Sequence, residues 1–291
     1  MKTYRFDKVE LTSGYLFDKQ ELNRMRTIYA VYDRFDETGR IGAFNFDYVP
    51  AEDKKLPHVF WDSDVAKWME GAAYIIKKHP SPDLEERIDA LVEKIREHQD
   101  ENGYFNIHFT VVSPNDRFKD RDKHELYCAG HLMEAAIAYD EATGKRDFLD
   151  CMEKYADHIN RVFIEEKSAE FQTPGHQEIE IALVRMYLHT GKQKYLDMAK
   201  HFIDTRGSSE TSEPNVSYNQ SHLPVREQTE AVGHSVRAMY LYTGMALLAA
   251  QTGDESLVKA CKKLWDDVTL KKMYVTGGIG ATVDGEAFSF N

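Results

Sequence analysis

The chain has 291 residues, a formal net charge of −12 and three cysteines. The excess of acidic residues argues against a nucleic-acid-binding surface, because neutralising phosphates requires a surplus of Lys and Arg. Cys128, Cys151 and Cys261 are too few and too widely spaced for a disulfide framework or a CxxC metal knuckle. The first residues carry no apolar signal segment and no apolar run approaches 18 residues, so a cytoplasmic location and no membrane partner are expected.

The first sixty residues have the least regular pattern. Apolar residues at helical spacing predict a helix over 19–35, and the glycines and prolines of 38–57 predict a loop. Ser63 is predicted to cap a helix over 65–78, which Pro80 and Pro82 separate from the next one. We therefore expect residues 1–60 to pack as an N-terminal segment on a domain that spans 61–291.

A sequence pattern typical of paired helices then occurs three times. Thr143-Gly144, Thr190-Gly191 and Thr252-Gly253 each end one apolar stretch and open another. Counted from each glycine, positions +4, +5, +8, +11 and +12 are apolar: Phe148, Leu149, Met152, Tyr155 and Ala156; Tyr195, Leu196, Ala199, Phe202 and Ile203; Leu257, Val258, Cys261, Leu264 and Trp265. This spacing gives a helix one apolar stripe. A fainter copy follows Pro80.

The helices that precede these striped ones, at about 124–142, 177–190 and 228–251, are apolar or small over most of their surface. A helix that is apolar nearly all round is buried, whereas a striped helix faces water. The alternation predicts an all-α fold of stacked helical hairpins, either an open solenoid or a closed ring with an inner and an outer layer.

After residue 272 the pattern changes. Four glycines between 277 and 285 exclude a stable helix and favour short extended pieces around tight turns. Four helix pairs are visible where such rings commonly have six. We expect a ring that is incomplete at the C-terminus, with exposed apolar surfaces that promote self-association or bind a complementing C-terminal fragment.

Three histidines occupy equivalent positions in successive repeats. His131, His176 and His234 each follow a glycine, in or just before an apolar helix. In a helical ring these positions would converge on one pocket. Ordinary buried core histidines and a three-histidine metal site remain alternatives.

Each of the other polar and aromatic candidates has two interpretations, one functional and one structural. Arg226 and Glu227 could hydrogen-bond sugar hydroxyls, or form an ion pair that ties a loop to a helix. Trp61 offers a face for stacking on a sugar ring, or is a core residue. Glu286 lies in the glycine-rich segment, where a carboxylic acid could protonate a leaving oxygen; the alternative is an exposed glutamate in a turn.

Four motifs occur in order: Cys-Ala-Gly-His-Leu (128–132), Pro-Gly-His-Gln-Glu (174–178), Leu-Pro-Val-Arg-Glu-Gln-Thr-Glu-Ala-Val-Gly-His (223–234), and Tyr-Val-Thr-Gly-Gly-Ile-Gly with Gly-Glu-Ala-Phe (274–280, 285–288). Together they resemble glycoside hydrolase family 127, the β-L-arabinofuranosidases. The resemblance implies an (α/α)6 barrel with a pocket for terminal L-arabinofuranose. It also implies sugar contacts from His131, His176 and His234, and Glu286 as general acid/base of a retaining enzyme.

The resemblance further implies a zinc-bound cysteine nucleophile, whose segments follow the Gly-Glu-Ala-Phe motif in the family. On this reading no metal ligand or cofactor site lies within the 291 residues, zinc belongs to the complete domain with ligands beyond residue 291, and the chain alone does not turn over. Val283-Asp284 also stands where many relatives have a histidine before Gly-Glu.

Two other functions remain open. Sugar epimerases of the α/α-barrel type also use histidines as acid and base, without a cofactor. A helical-repeat scaffold would instead bind a partner protein on its concave face.

Overall fold

The computed structural model describes residues 6–49, 55–208 and 216–289. Over these ranges the regular structure is helical, and the eleven α-helices are α1 Tyr15–Leu22, α2 Ile28–Glu37, α3 Trp61–Lys78, α4 Pro82–His98, α5 His108–Val111, α6 Glu125–Thr143, α7 Asp147–Asn160, α8 Ile179–Thr190, α9 Gln193–Thr205, α10 Ser235–Thr252 and α11 Glu255–Asp267. The all-α class predicted from the repeats is confirmed. In the described part of the chain no helix is long and apolar enough to cross a bilayer.

The chain forms two compact units. The first contains residues 1–115 and 132–155, and the second contains 116–131 and 156–291, so α6 and α7 each contribute to both. In the first unit α2 packs on α3 and α3 on α4. The indole N–H of Trp68 donates a 2.8 Å hydrogen bond to the Ile28 carbonyl, which joins α3 to the N-terminal segment. The division at residue 60 stays a prediction.

The N-terminal cap of α3 differs from the prediction. The helix begins at Trp61, its cap residue is Phe60, and Ser63 lies inside the first turn. The Ser63 hydroxyl donates 2.7 Å to the Phe60 carbonyl instead of accepting from a later backbone N–H. Pro82 does start α4 as predicted, because proline at the first helical position loses no intrahelical hydrogen bond. Residues 50–54 of the predicted 38–57 loop lie outside the described residues.

The second unit is built on two hairpins, α8 with α9 and α10 with α11, and α10 also packs on α8 and α9. Gly191 and Gly253 end α8 and α10 in the left-handed conformation, with φ of 71° and 70°. Glycine adopts this conformation at little cost, so it stops one helix and lets the chain reverse into the next. The Thr-Gly phrase therefore marks the hairpin turns, as predicted.

Candidate functional site

The three histidines lie in the second unit and come together there. His131 is on the second turn of α6, His176 is in the loop before α8, and His234 is the N-cap residue of α10. All three are buried. The ring centroids of His176 and His234 are 6.0 Å apart. The convergence predicted from their shared slot is confirmed, and their chemical role is a separate question.

Two tyrosines connect the histidine rings. The Tyr127 ring centroid lies 4.5 Å from that of His131 and 4.3 Å from that of His176. Tyr240 packs edge-on against His176 at 5.2 Å, and its hydroxyl is 3.4 Å from Nε2 of His131. Neither tyrosine is among the site residues predicted from the sequence. The i, i+4 spacing of Tyr127 and His131, which puts both on one face of α6, was the available signal.

His131 also meets a buried acid. Its Nδ1 lies 3.5 Å from Oε1 of Glu178. The preceding Gly130 makes this approach possible, because a Cβ there would lie 2.6 Å from Cγ of Glu178 and 3.1 Å from the backbone nitrogen of Ile179. The glycine before this histidine thus admits a neighbouring segment of the chain.

His234 contacts Glu286, the acid selected from the sequence. Nε2 of His234 lies 3.1 Å from Oε2 of Glu286, whose side chain is 74% exposed. An antiparallel bridge pairs His234 with Ala287, and the Phe288 N–H donates 3.0 Å to the Gly233 carbonyl. The Ser235 hydroxyl donates 3.1 Å to the Glu286 carbonyl. The glycine-rich segment is thus fixed to the start of α10, with the carboxylate facing solvent beside the histidines.

Hydrogen-bond partners assign the tautomers of two histidines. A backbone N–H can only donate, and that of Arg237 is 3.3 Å from Nδ1 of His234. Neutral His234 therefore carries its proton on Nε2 and donates to Glu286. A carbonyl can only accept, and that of Gln177 is 2.9 Å from Nδ1 of His176. His176 therefore keeps its lone pair on Nε2, so the two neighbouring rings hold opposite tautomers.

Burial favours the neutral form of both rings. Burial lowers the pKa of His176 from 6.5 to about 3, although the Gln177 carbonyl acts in the opposite direction. Burial also lowers the pKa of His234, with a further lowering from the Arg237 charge and an opposing effect of Glu286. A neutral imidazole offers one donor and one acceptor, which suits contacts with hydroxyl groups.

The helix predicted over 228–251 begins later, at Ser235. Gly233 has φ of 72°, and a Cβ there would overlap the carbonyl of Ser217. This backbone leads into the bridge with Ala287 and makes His234 a cap residue. Glu230 therefore precedes the helix, and its Oε1 lies 3.2 Å from Nζ of Lys272.

Residues 8–291 match the family model described as the β-L-arabinofuranosidase GH127 catalytic domain. The chain belongs to glycoside hydrolase family 127. It is 41% identical, with a TM-score of 0.90, to the crystal structure of a GH127 β-L-arabinofuranosidase from Geobacillus stearothermophilus T6, matching 98% of this chain and 48% of that one. A second structure, a GH127 β-arabinofuranosidase, is also 41% identical, with a TM-score of 0.91 over 98% of this chain and 46% of the other.

A curated relative, the non-reducing end β-L-arabinofuranosidase of Bifidobacterium longum subsp. longum, is 36% identical over 256 residues, which are 80% of this chain and 39% of the relative. The chain thus spans less than half the length of these GH127 relatives. The all-α fold of (α/α)-barrel type implied by the resemblance is confirmed by the similarity to GH127 structures. The comparisons give no support to the epimerase or scaffold alternatives.

Arg226 and Glu227 lie outside the histidine contacts just described. The Arg226 guanidinium binds Asp204 at 2.6 Å and Asp254 at 2.8 Å. It also donates 3.0 Å to the Ser256 hydroxyl. Glu227 is exposed. For Arg226 this arrangement favours the ion-pair interpretation over the sugar-binding one.

Trp61 belongs to the first compact unit. It is the first residue of α3, it is half-buried, and the Arg40 guanidinium lies over its ring at 5.2 Å from the centroid. The ring face that a sugar would use is thus in contact with a cation on one side. A stacking role for Trp61 stays a prediction.

The three cysteines do not fit the zinc-bound thiolate that the resemblance to family 127 implies. Cys128 and Cys151 are buried and Cys261 is half-buried. Burial raises the pKa of the Cys151 and Cys261 thiols, which disfavours the thiolate required by a nucleophile or zinc ligand. No reaction step through zinc is derived from these residues.

Proposed function

We propose that this protein is a retaining glycosidase that removes terminal L-arabinofuranose from oligosaccharides or glycoconjugates, and that the 291 residues supply its sugar pocket and its general acid/base. The observation that carries the proposal is the contact between His234 and Glu286. A buried, neutral imidazole holds one oxygen of an exposed carboxyl group, on a segment fixed to α10.

This contact assigns different tasks to the two oxygens of Glu286. Oε2 accepts the Nε2 proton of His234, so the other oxygen, Oε1, is left to carry the proton that passes to the leaving group. In the first step Glu286 donates this proton to the glycosidic oxygen, and in the second it takes a proton from the attacking water. His234 fixes the carboxyl group in both steps.

The three histidines bind the sugar in this proposal. Nε2 of His176 is an acceptor for a hydroxyl proton, and the rings of Tyr127 and Tyr240 give the pocket apolar faces. His131, whose Nδ1 lies 3.5 Å from Oε1 of Glu178, completes the set. Trp61, Arg226 and Glu227 stay predictions as sugar contacts, as do zinc in the complete domain, a cytoplasmic location and the absence of turnover by the 291 residues alone.

The acid/base assignment is tested with Glu286→Gln in the full-length protein. For an arabinofuranoside with an alkyl alcohol as leaving group, glycosylation of the enzyme should slow by about 10² to 10⁴, because the alkoxide needs a proton. A nitrophenyl arabinofuranoside should lose much less in this step, since nitrophenolate leaves without one. Asp284→Asn, an exposed acid in the same segment, is the matched control. Equal losses on both substrates would assign Glu286 to binding or structure instead.

We further propose that the 291-residue chain self-associates through α11. Val258 is 38% exposed, Trp265 70% and Leu270 78%, and they form an apolar surface on α11 and the turn that follows it. Apolar surfaces of this kind are commonly covered by polypeptide. A second copy of the chain, with the same stripe, is a matching occupant. A monodisperse monomer in light scattering at high protein concentration would contradict this proposal.

A further inference from the structure

Arg237 joins the segments that carry His176 and His234. It is a buried residue in the first turn of α10. Its Nη1 donates 2.7 Å to the carbonyl of Gly175, the residue before His176. Its backbone N–H donates to Nδ1 of His234. One residue thus contacts both histidine segments, through two different groups.

Two further contacts partly offset the cost of burying the Arg237 guanidinium. Nη1 also lies 3.2 Å from Oδ1 of Asp122, and the guanidinium carbon lies over the Tyr218 ring, 4.5 Å from its centroid. Asp122 in turn lies against Gly175, where a Cβ would overlap its carboxylate. A planar cation stacked on an aromatic ring and bonded at its edge has little freedom to move. The loop before His176 is therefore held in one position relative to α10.

The charge of Arg237 also acts on both imidazoles. It lowers the pKa of His234 as the second cause after burial, and it contributes to the lowered pKa of His176 after burial and the opposing Gln177 carbonyl. The described ionisable groups that contact the two rings or act on their charge are His124, Tyr127, Tyr240 and Arg237 around His176, and Tyr218, Arg237 and Glu286 around His234, with each histidine also facing the other.

We propose that Arg237 is a positioning residue of the sugar pocket, which holds the His176 loop against the His234 cap so that the acceptor nitrogen of His176 faces the same ligand as the Glu286 carboxyl group that His234 holds. The ligand part of this inference rests on the proposed function. The positioning part concerns only the protein and has its own measurement.

The first measurement is an NMR titration of the full-length protein labelled at histidine, with His176→Gln and His234→Gln variants to assign the signals. In Arg237→Met the titration midpoints of His176 and His234 should both rise, because the neighbouring positive charge is lost. Arg237→Lys keeps the charge and should restore them toward the wild-type values. Arg146→Met, at an exposed arginine that directly precedes α7, is the control. Unchanged midpoints in Arg237→Met would overturn the proposal.

The second measurement is L-arabinose binding by calorimetry. Arg237→Met should weaken binding by about tenfold, the effect of losing one hydrogen bond to a charged group, and Arg237→Lys should recover part of it. A lower melting temperature with unchanged affinity and unchanged titration would show a purely structural role and overturn the proposal. If Arg237→Met does not fold, Asp122→Asn, which removes an anchor of the guanidinium near the surface, should weaken binding in the same direction, and no effect would contradict the proposal.

The two proposals fail in different ways. If the wild-type protein does not bind L-arabinose while the titration behaves as expected, the substrate class is wrong and the positioning role stands. If L-arabinose binds equally to the wild type and to both Arg237 variants, the substrate class stands and the positioning role is wrong.

Discussion

The hairpins α8–α9 and α10–α11 have the same sequence pattern and differ in what covers them. At positions +5 and +12 of the repeat, Leu196 and Ile203 of α9 are 5% and 0% exposed, whereas Val258 and Trp265 of α11 are 38% and 70% exposed. α9 packs on both α8 and α10, and α11 packs on α10 and the π-helical segment Val268–Lys272. An apolar stripe therefore predicts a face that can be buried, and the neighbouring elements decide how much of it is.

The histidines that precede the two hairpins, His176 and His234, also differ in their surroundings. His176 lies among aromatic rings and bonds the Gln177 carbonyl, and burial dominates its pKa. His234 contacts an exposed carboxylate that partly offsets burial. The same glycine-histidine pair thus gives a ring with a free acceptor nitrogen in one hairpin and a donor to Glu286 in the other.

The largest expected difference is in stability. Ile203→Ala should lower the free energy of unfolding by about 2–5 kcal/mol, because it removes methyl groups from a buried site and leaves a cavity. The equivalent Trp265→Ala in α11 should change it by no more than about 0.5 kcal/mol. Urea unfolding of both variants measures the two changes in the free energy of unfolding. Similar losses in the two helices, at a protein concentration low enough to keep the chain monomeric, would mean that α11 is covered within the monomer.

The pH dependence of stability should separate the two entry histidines. The pKa of His176 is about 3 in the folded chain and near 6.5 when unfolded, so the unfolded chain binds the proton first as the pH falls. The free energy of unfolding should therefore decrease below pH 6.5 and down to about pH 3, by up to about 1.4 kcal/mol per pH unit from this group. The free energy of unfolding keeps decreasing until the pH reaches the folded-state pKa of about 3.

Denaturant titrations between pH 7 and 4 measure this slope. His176→Gln should flatten it, His234→Gln should flatten it less, and His79→Gln, at an exposed position, should leave it unchanged. A slope that is the same in wild type and His176→Gln would show that His176 is not buried in its neutral form.

A smaller effect is expected from the ion pairs that connect the hairpins. Arg226 links Asp204 of α9 to Asp254, the N-cap residue of α11. The Ser256 hydroxyl, and then Arg226, hold the pKa of Asp254 well below its usual range. Arg226→Met should cost about 0.5–1 kcal/mol, and less at high salt, since the groups are partly exposed. The exposed pair of Arg34 and Glu37 is the control, through Arg34→Met.

The same variant decides between the two interpretations of Arg226. An ion-pair role predicts unchanged L-arabinose affinity in Arg226→Met. A loss of affinity at unchanged stability would return Arg226 to the sugar pocket.

The smallest change in the free energy of unfolding is expected for a substitution in the α11 stripe, which should instead change self-association. Trp265→Asp replaces the most exposed member of the α11 stripe with a charge, and it should reduce self-association of the 291-residue chain without unfolding it. Light scattering over a concentration series measures the effect, with Arg34→Met as a surface control. Association that is insensitive to Trp265→Asp would place the contact on another face.

The sequence by itself determined the helical hairpins, their turns and the slot of the three histidines, because apolar periodicity and left-handed glycines act over a few residues. The order of motifs also indicated the family and Glu286. Contacts between distant segments decided the rest: the start of α10 at Ser235, set by the close approach of Ser217 to Gly233, and the roles of Tyr240, Arg237 and Glu178.

Tertiary structure also decided that equal stripes are buried in α9 and half-exposed in α11. The tautomers of His176 and His234 follow from backbone groups one and three residues away, the Gln177 carbonyl and the Arg237 N–H, but only the folded backbone brings these groups within about 3 Å of the ring nitrogens. The neutral state of the rings depends mainly on their burial, which the local motifs do not specify.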